Sequence, residues 1–339
     1  MKIHETYIKR CIQLAKNGLP SAMPNPSVGA ILVHQDKIIA EGYTSAYGGP
    51  HAEVNCIAYA KANTPQLIAK STLYVTLEPC SHYGKTPPCA NLVIESDIKR
   101  VVIGTIDPFA EVAGRGIKRL IDAGIDVTVG VLEKECLEVN KRFFTFHEKK
   151  RPYIILKWAE SKDGFIAPKE KEAQEPVWIT NIYSRQLVHK WRSEEQGILV
   201  GANTVIADNP SLTTRDWEGT SPTRIVLDTK KSLPKNLAIF NDKARTIVID
   251  SLDPTEIVNR LYNENIQSVI MEGGTQTLQR FIDASLWDEA RVFTGNTRLT
   301  EGTPSPTLTY SFYPLSTTSI LEDSLTIYKN NHSLSLIHI

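Results

Sequence analysis

Short β-rich runs and amphipathic helical stretches alternate along this chain, and one charged, proline-bearing stretch interrupts them. Such alternation selects layered α/β architecture over all-α or all-β packing. The interruption is His147-Glu148-Lys149-Lys150-Arg151-Pro152, and proline within a run of charge reads as a linker. At 339 residues the chain is too long for one typical core. Two α/β domains are expected, spanning 1–147 and 152–339.

In the first part, residues 4–17 place Ile8, Cys11, Ile12 and Ala15 on one helical face, and Gly18 closes it. Residues 28–33 and 38–43 read as a β-hairpin. Helices are then expected over 51–62, 90–96, 117–123 and 133–144. Strands are expected over 72–77, 101–105 and 127–131, which completes a three-layer α/β/α unit. The second part reads as strands over 153–158, 197–201, 224–228, 246–250 and 268–271, with helices over 184–192, 255–263 and 275–283. A terminal β-rich segment is expected over 319–328.

Two short segments carry chemistry. His51-Ala52-Glu53 falls at a helix start, and Pro79-Cys80 follows a strand, with Cys89 nine residues beyond Cys80. One histidine and two thiolates give zinc three protein ligands, and a catalytic zinc keeps its fourth position for water. Glu53 lies two residues from a ligand, free of the metal and able to move protons, which is the arrangement of zinc deaminases. Singly, His51, Cys80 and Cys89 would read as a helix-start histidine and core thiols. Together, with Pro79, Gly84 and Pro87-Pro88 shaping the turn, they read as a metal site. A structural zinc site would need a fourth ligand, for which His82 is the local candidate, and would leave Glu53 without a task.

Lys+Arg and Asp+Glu balance at 38 each, so no bulk electrostatic footprint for nucleic acid or an anionic membrane exists. A small substrate is expected, with neither nucleic acid nor membrane as partner. The stretch MKIHETYIKR has no apolar run behind its charges, so a signal peptide is not expected. Five cysteines are sparse and odd in number, which suits a reducing cytoplasm. Cys11, Cys56 and Cys136 read as buried small hydrophobes.

Eight residues separate the two ligand cysteines, where most nucleobase deaminases have two. The full stretch Thr76-Leu77-Glu78-Pro79-Cys80-Ser81-His82-Tyr83-Gly84-Lys85-Thr86-Pro87-Pro88-Cys89 resembles the bifunctional riboflavin-biosynthesis deaminase/reductase family. So do Pro24-Asn25-Pro26-Ser27-Val28-Gly29, Gly49-Pro50-His51-Ala52-Glu53-Val54 and Val112-Ala113-Gly114-Arg115-Gly116. Beyond the linker the resemblance continues in Trp178-Ile179-Thr180, in Asp208-Asn209-Pro210-Ser211-Leu212-Thr213-Thr214-Arg215 and in Met271-Glu272-Gly273-Gly274.

The resemblance implies a cytidine-deaminase-like domain followed by a dihydrofolate-reductase-like domain using NADPH. The implied substrate is a diaminopyrimidinone carrying a ribosylamino 5′-phosphate, deaminated to an aminouracil and then reduced so that the ribosyl ring opens to ribityl. It implies zinc ligation by His51, Cys80 and Cys89, with Glu53 as proton donor. Asn25 becomes a pyrimidine contact, although a turn residue before Pro26 reads as well, and Lys85 and Thr86 become phosphate contacts. In the second domain it places NADPH against Ala159, Trp178, Thr204, Asp208, Gly274, Thr275, Gln276, Thr277, Leu278, Gln279 and Arg280. Arg192, Leu212, Arg215 and Glu272 would hold substrate, with Lys157 near the reacting sugar. Lys157 and Glu272 are both candidates for the proton donor. Alone, Arg192 reads as a surface helix charge and Asp208 as the start of a turn. Thr44 stands where the family usually carries a substrate-touching histidine. A cytoplasmic homo-oligomer is expected. The competing readings are a free-standing nucleobase or tRNA deaminase joined to an unrelated domain, and a structural zinc module without catalysis.

Overall fold

A computed structural model describes residues 2–83, 87–108, 113–308 and 312–330. The chain divides into two compact units, Met1–Lys149 and Lys150–Ile339.

The first unit runs α1 (Lys2–Asn17), β1 (Gly29–His34), β2 (Lys37–Tyr43), α2 (Ala52–Asn63), β3 (Thr72–Leu77), α3 (Cys89–Glu95) and β4 (Arg100–Thr105). It continues with α4 (Arg115–Asp122), β5 (Asp126–Val129), α5 (Glu133–Val139) and α6 (Lys141–Lys149). Its sheet order is β2-β1-β3-β4-β5; β1 is antiparallel to both neighbours and β3, β4 and β5 are parallel. Alternating side chains divide between two faces. Ala30, Leu32, Leu73, Val75, Val101 and Ile103 pack with Ala52, Cys56 and Ile57 of α2, Val93 of α3 and Leu120 of α4. Ile31, Val33, Tyr74 and Val102 pack the other way, on Ile8 and Cys11 of α1 and Cys136 of α5. The result is three layers, with Cys11, Cys56 and Cys136 buried as small hydrophobes.

The expected helix over 133–144 is two helices, because Asn140 interrupts it and turns its side chain inward onto Ser27. Helix α6 also runs to Lys149, through the front of the expected linker, and Arg151 behind it is buried against Asp288. A charge run read as a linker therefore includes a core ion pair.

The second unit runs β6 (Tyr153–Glu160), β7 (Phe165–Pro168), α7 (Ile182–Glu194), β8 (Gly197–Gly201), α8 (Ala202–Asp208), β9 (Thr223–Leu227) and β10 (Thr246–Ile249). Then come α9 (Pro254–Asn263), β11 (Ser268–Met271), α10 (Thr275–Asp283), β12 (Glu289–Thr294), β13 (Gly302–Pro304), β14 (Pro314–Ile320) and β15 (Asp323–Lys329). The main sheet has the order β10-β9-β8-β11-β6-β12-β15-β14, parallel up to β12 and antiparallel beyond. One face packs on α9 and α10 through Ile257, Leu261, Leu278 and Phe281, the other on α7 and α8 through Val188, Trp191 and Val205.

Strand β12 was not expected, because Glu289 and Arg291 interrupt its apolar pattern. Both are buried, and they pair with each other at 2.6 Å while Arg291 lies 4.4 Å from the Trp191 ring centre. The single β segment expected over 319–328 is a hairpin, with β14 and β15 turning at Leu321 in the left-handed region (φ 53°). Among the described residues no helix is long and apolar enough to cross a membrane.

Candidate functional site

In the first unit, the start of β1 pairs with the end of β2, and Ala30 pairs with Val75 of β3. One edge of the sheet therefore gathers the loop before β1, the segment leading to α2, and the segment leaving β3. These carry Asn25, His51 with Glu53, and Cys80 respectively.

His51 is the N-cap of α2 and makes no side-chain cap bond, which leaves its ring available. Its Nδ1 lies 3.6 Å from Cys80 Sγ and 3.4 Å from Cys89 Sγ. Tetrahedral zinc with bonds of about 2.0–2.1 Å to nitrogen and about 2.3 Å to sulfur places such atoms about 3.6 Å apart. The donor set fits one zinc ion, since all three ligand atoms lie within 4.8 Å of one another. His82 is exposed and stands outside this group, so among the described residues no fourth protein ligand completes a closed structural site.

Cys89 opens α3, and its backbone N–H donates to Cys80 Sγ at 3.3 Å. The Cys89 thiol bonded to it, and then His51, push the Cys80 thiol down to about 4 against the effect of burial, while Cys89 is held up. Glu53 is buried in the first turn of α2, and burial together with the Cys80 charge raises it to about 7.

Asn25 is half-buried in a loop fixed on three sides. Ser27 exchanges two hydrogen bonds with the Asn140 amide, its hydroxyl donates to Ala15 O, and the Val28 N–H donates to Thr44 Oγ1 at 2.9 Å. Thr44, at the position of the family's histidine, is thus buried and engaged in holding this loop. Lys85 and Thr86 lie outside the described residues.

In the second unit, Lys157 of β6, Arg192 of α7 and Glu272 after β11 converge at the carboxyl ends of parallel strands, where open α/β sheets bind ligands. Arg192 forks onto the Glu272 carboxylate at 2.9 and 2.7 Å, and Lys157 Nζ lies 3.8 Å from it. Arg192 is therefore no surface charge. Burial acts to raise Glu272, but Arg192 and Lys157 prevail and hold it at about 2. Lys157 is lowered from its ordinary value, chiefly by burial.

Arg192 also reaches Thr213 O at 3.4 Å, between Leu212, which is buried, and Arg215. The Arg215 N–H donates to His189 Nδ1 at 3.1 Å, so the His189 proton sits on Nε2, 3.3 Å from the Asp216 carboxylate. Sequence reading passed over His189, Glu78 and Asn140, because their partners lie far along the chain.

Gly201 and Gly274 cap α8 and α10 at the ends of β8 and β11, with no side-chain cap on either helix. Free N–H groups at a helix start suit anions, which fits the phosphates of a dinucleotide. A Cβ on Gly201 would stand 2.9 Å from Thr277 Oγ1, and one on Gly274 3.6 Å from Thr204 Oγ1, so the two helix starts adjoin. Trp178 is exposed and lies 4.4 Å from the Arg185 guanidinium. Ala159 sits two residues beyond Lys157 on β6. Thr275 donates to Pro304 O and leaves its own backbone N–H at the helix start, beside Gln276. Asp208 pairs with Lys171. Leu278 is core, Gln279 is engaged with Thr307 and Asp283, and Arg280 is exposed on α10.

Residues 1–105 match the cytidine and deoxycytidylate deaminase zinc-binding region, and residues 152–308 match the RibD C-terminal domain. The chain is 38% identical to riboflavin biosynthesis protein RibD of Aquifex aeolicus over 89% of both chains. It is 34% identical to that of Escherichia coli, over 85% of this chain and 86% of that one. A solved diaminohydroxyphosphoribosylaminopyrimidine deaminase/5-amino-6-(5-phosphoribosylamino)uracil reductase from Thermotoga maritima superposes with a TM-score of 0.88. It is 38% identical and covers 97% of this chain and 99% of its own. With both parts matched and 89% of the chain aligned to a relative 38% identical, the chain belongs to the RibD family of bifunctional riboflavin-biosynthesis enzymes, in which a zinc-dependent pyrimidine deaminase is joined to an NADPH-dependent reductase.

Proposed function

We propose that the first unit deaminates a 2,5-diamino-6-(5-phosphoribosylamino)pyrimidin-4-one and that the second reduces the ribosyl group of the resulting aminouracil phosphate to ribityl. The observation that carries this reading is the convergence of His51, Cys80 and Cys89 around one ion's volume, with the buried Glu53 two residues from His51. These three residues would hold zinc, which supplies an activated water at neutral pH. Glu53 takes the proton from that water and returns protons to the ring nitrogen and the leaving amine. Burial supports this role, since a carboxyl near 7 can both accept and donate at neutral pH. Asn25 orients the pyrimidine edge, and Lys85 with Thr86 takes the 5′-phosphate.

In the second unit NADPH supplies hydride, and the protein orients substrate against it. The helix starts at Thr204 and at Gly274, Thr275, Gln276 and Thr277 hold the dinucleotide, flanked by Ala159, Trp178, Asp208, Leu278, Gln279 and Arg280. Arg192, Leu212, Arg215 and Glu272 hold the substrate. Glu272, doubly paired and ionised, has no proton to give at neutral pH. Lys157 therefore delivers the proton that ring opening requires.

Balanced charge supports a small phosphorylated pyrimidine over nucleic acid as partner, and five free cysteines support a cytoplasmic setting. The wholly exposed face of strand β14, from Pro314 to Ser319, supports assembly as a homo-oligomer. The test is incubation with the diaminopyrimidinone phosphate, with and without NADPH, following ammonia release and NADPH absorbance separately. Ammonia without NADPH, then NADPH oxidation only after deamination, is the expected pattern; absence of ammonia release refutes the reading.

A further inference from the structure

Two residues before Cys80, the Glu78 side chain is 3% exposed, and no arginine, lysine or histidine among the described residues pairs with it. Its carboxylate instead accepts four backbone N–H groups, three at the start of α4 and one just after β4. Oε2 takes Gly114 at 2.9 Å and Asp107 at 3.3 Å; Oε1 takes Gly116 at 2.8 Å and Ile117 at 3.2 Å. A buried carboxylate satisfied in this way is held at both oxygens, and the helix dipole adds to the attraction.

The same helix start presses on the next residue. A Cβ on Gly116 would stand 2.0 Å from Pro79 O, so glycine is needed for this approach. One turn on, Arg119 Nη1 donates to Ser81 O at 3.4 Å. Residues 78, 79 and 81 therefore all bear on α4, and Cys80 lies between them. On its far side Cys80 is tied to α3, its carbonyl accepting the Ala90 N–H at 3.1 Å. The Cys80 segment is thus held from α3 and from α4, and on the α4 side the Glu78 carboxylate carries four of the hydrogen bonds, beside the Arg119 bond to Ser81 and the close approach of Gly116 to Pro79.

We propose that Glu78 is the positioning residue of the metal centre, clamping the Cys80 segment onto α4 so that its thiolate stays within reach of the ion held by His51 and Cys89. This rests on the zinc reading above. Glu78 stands outside the His51, Cys80 and Cys89 group and acts through the backbone on either side of Cys80.

The experiment compares the full-length protein with Glu78→Gln, stripped of metal and titrated with cobalt(II) alone. The readouts are affinity, the thiolate-to-cobalt charge-transfer absorbance per bound ion, and zinc release to a chromogenic chelator. Glutamine keeps the shape and one acceptor oxygen but turns an NH₂ toward two of the four N–H donors. Cobalt affinity is expected to fall about tenfold or more, as when partners outside the ligand set are lost. Charge-transfer intensity per ion is expected to fall towards that of Cys80→Ser, the single-thiolate reference. Reductase rate and far-ultraviolet circular dichroism should not change. A folded Glu78→Gln protein with wild-type affinity and full intensity overturns the proposal, as does an equal loss in the reductase, which would mark a global defect. Should Glu78→Gln fail to fold, Gly116→Ala decides by the same readouts, because its methyl group displaces the helix start from Pro79. Wild-type metal binding there overturns the clamp. A wild-type protein that takes up no metal refutes the zinc reading itself, an outcome separate from either.

Discussion

Asn140 and Ser27, 113 residues apart, exchange two hydrogen bonds: the Ser27 N–H donates to Asn140 Oδ1 and the Asn140 amide donates to Ser27 O, each at 2.8 Å. Both residues are buried. The amide side chain thus does for the loop before β1 what a neighbouring strand would do, and it ends α5 in doing so.

Asn140→Ala should leave an N–H and a C=O buried without partners, each costing about 1–3 kcal/mol. A loss of ~2–6 kcal/mol is therefore expected in denaturant unfolding of the first unit. Because the loop carries Asn25, KM for deamination should rise while the reductase is unaffected. A variant unchanged in stability would show that water or backbone relaxation replaces the amide fully.

Glu53→Gln should retain zinc and lose deamination by 10²–10⁴-fold or more, since one residue serves several proton transfers. Metal content measured beside ammonia release decides the point. A metal-free variant would make Glu53 a ligand, and a fully active one would end the proposed mechanism.

Chelation should abolish deamination and leave NADPH oxidation on supplied aminouracil phosphate intact. The ligand set belongs wholly to the unit Met1–Lys149, so metal-linked stability is local to it. Loss of both activities on adding chelator would contradict that independence.

Stability of the second unit should fall in two stages on acidification. Burial and the nearby Arg192 lower His189 from 6.5 to about 4, so between those values the unfolded chain binds the extra proton. Stability therefore rises with pH across this window and is lost as pH falls through it. Glu272, lowered from 4.5 to about 2, adds a second loss below pH 4.5 with the same sign. His189→Asn should flatten the first stage only, in thermal unfolding from pH 7 to 3. An unaltered profile would show that His189 titrates alike in the folded and unfolded chains.

The His51, Cys80 and Cys89 group was legible in sequence because local motifs supply it: a helix start, a strand end, and a proline-shaped turn between two cysteines. The strands β3, β8 and β11, buried almost throughout, were legible for the same local reason, and their bounds agree with the expected ones. What escaped is long-range. Strand β12 hides its apolar period behind Glu289 and Arg291, whose burial makes sense only once they pair with each other and stack on Trp191. Asn140 and Glu78 read as helix-interior and strand-end polar residues until their partners across the sheet are known. The grouping of Lys157, Arg192 and Glu272 followed from family resemblance, because no local spacing joins three residues on separate elements.

The reductase pH profile separates the roles of Lys157 and Glu272. A proton donor works below its own pKa, so the rate should fall on the alkaline side as Lys157 deprotonates, and this should occur below 10.5 because burial lowers that group. Glu272, 3.8 Å from Lys157 Nζ, opposes the lowering, and Arg192 reinforces it. Glu272→Gln removes the carboxylate that faces both Arg192 and Lys157 and leaves two buried cations together. Lys157 must then lose its proton more readily, and the alkaline limb should move to lower pH by at least about one unit, given a charge pair this close in a poorly solvated site. Lys157→Met should abolish the limb and reduce kcat by about 10²–10⁴-fold. Both should be measured as kcat against pH with saturating NADPH and aminouracil phosphate, so that weaker substrate binding in Glu272→Gln does not enter. A limb that stays in place in Glu272→Gln and persists in Lys157→Met would assign the proton to another group, and Lys157 would then serve only to bind the substrate.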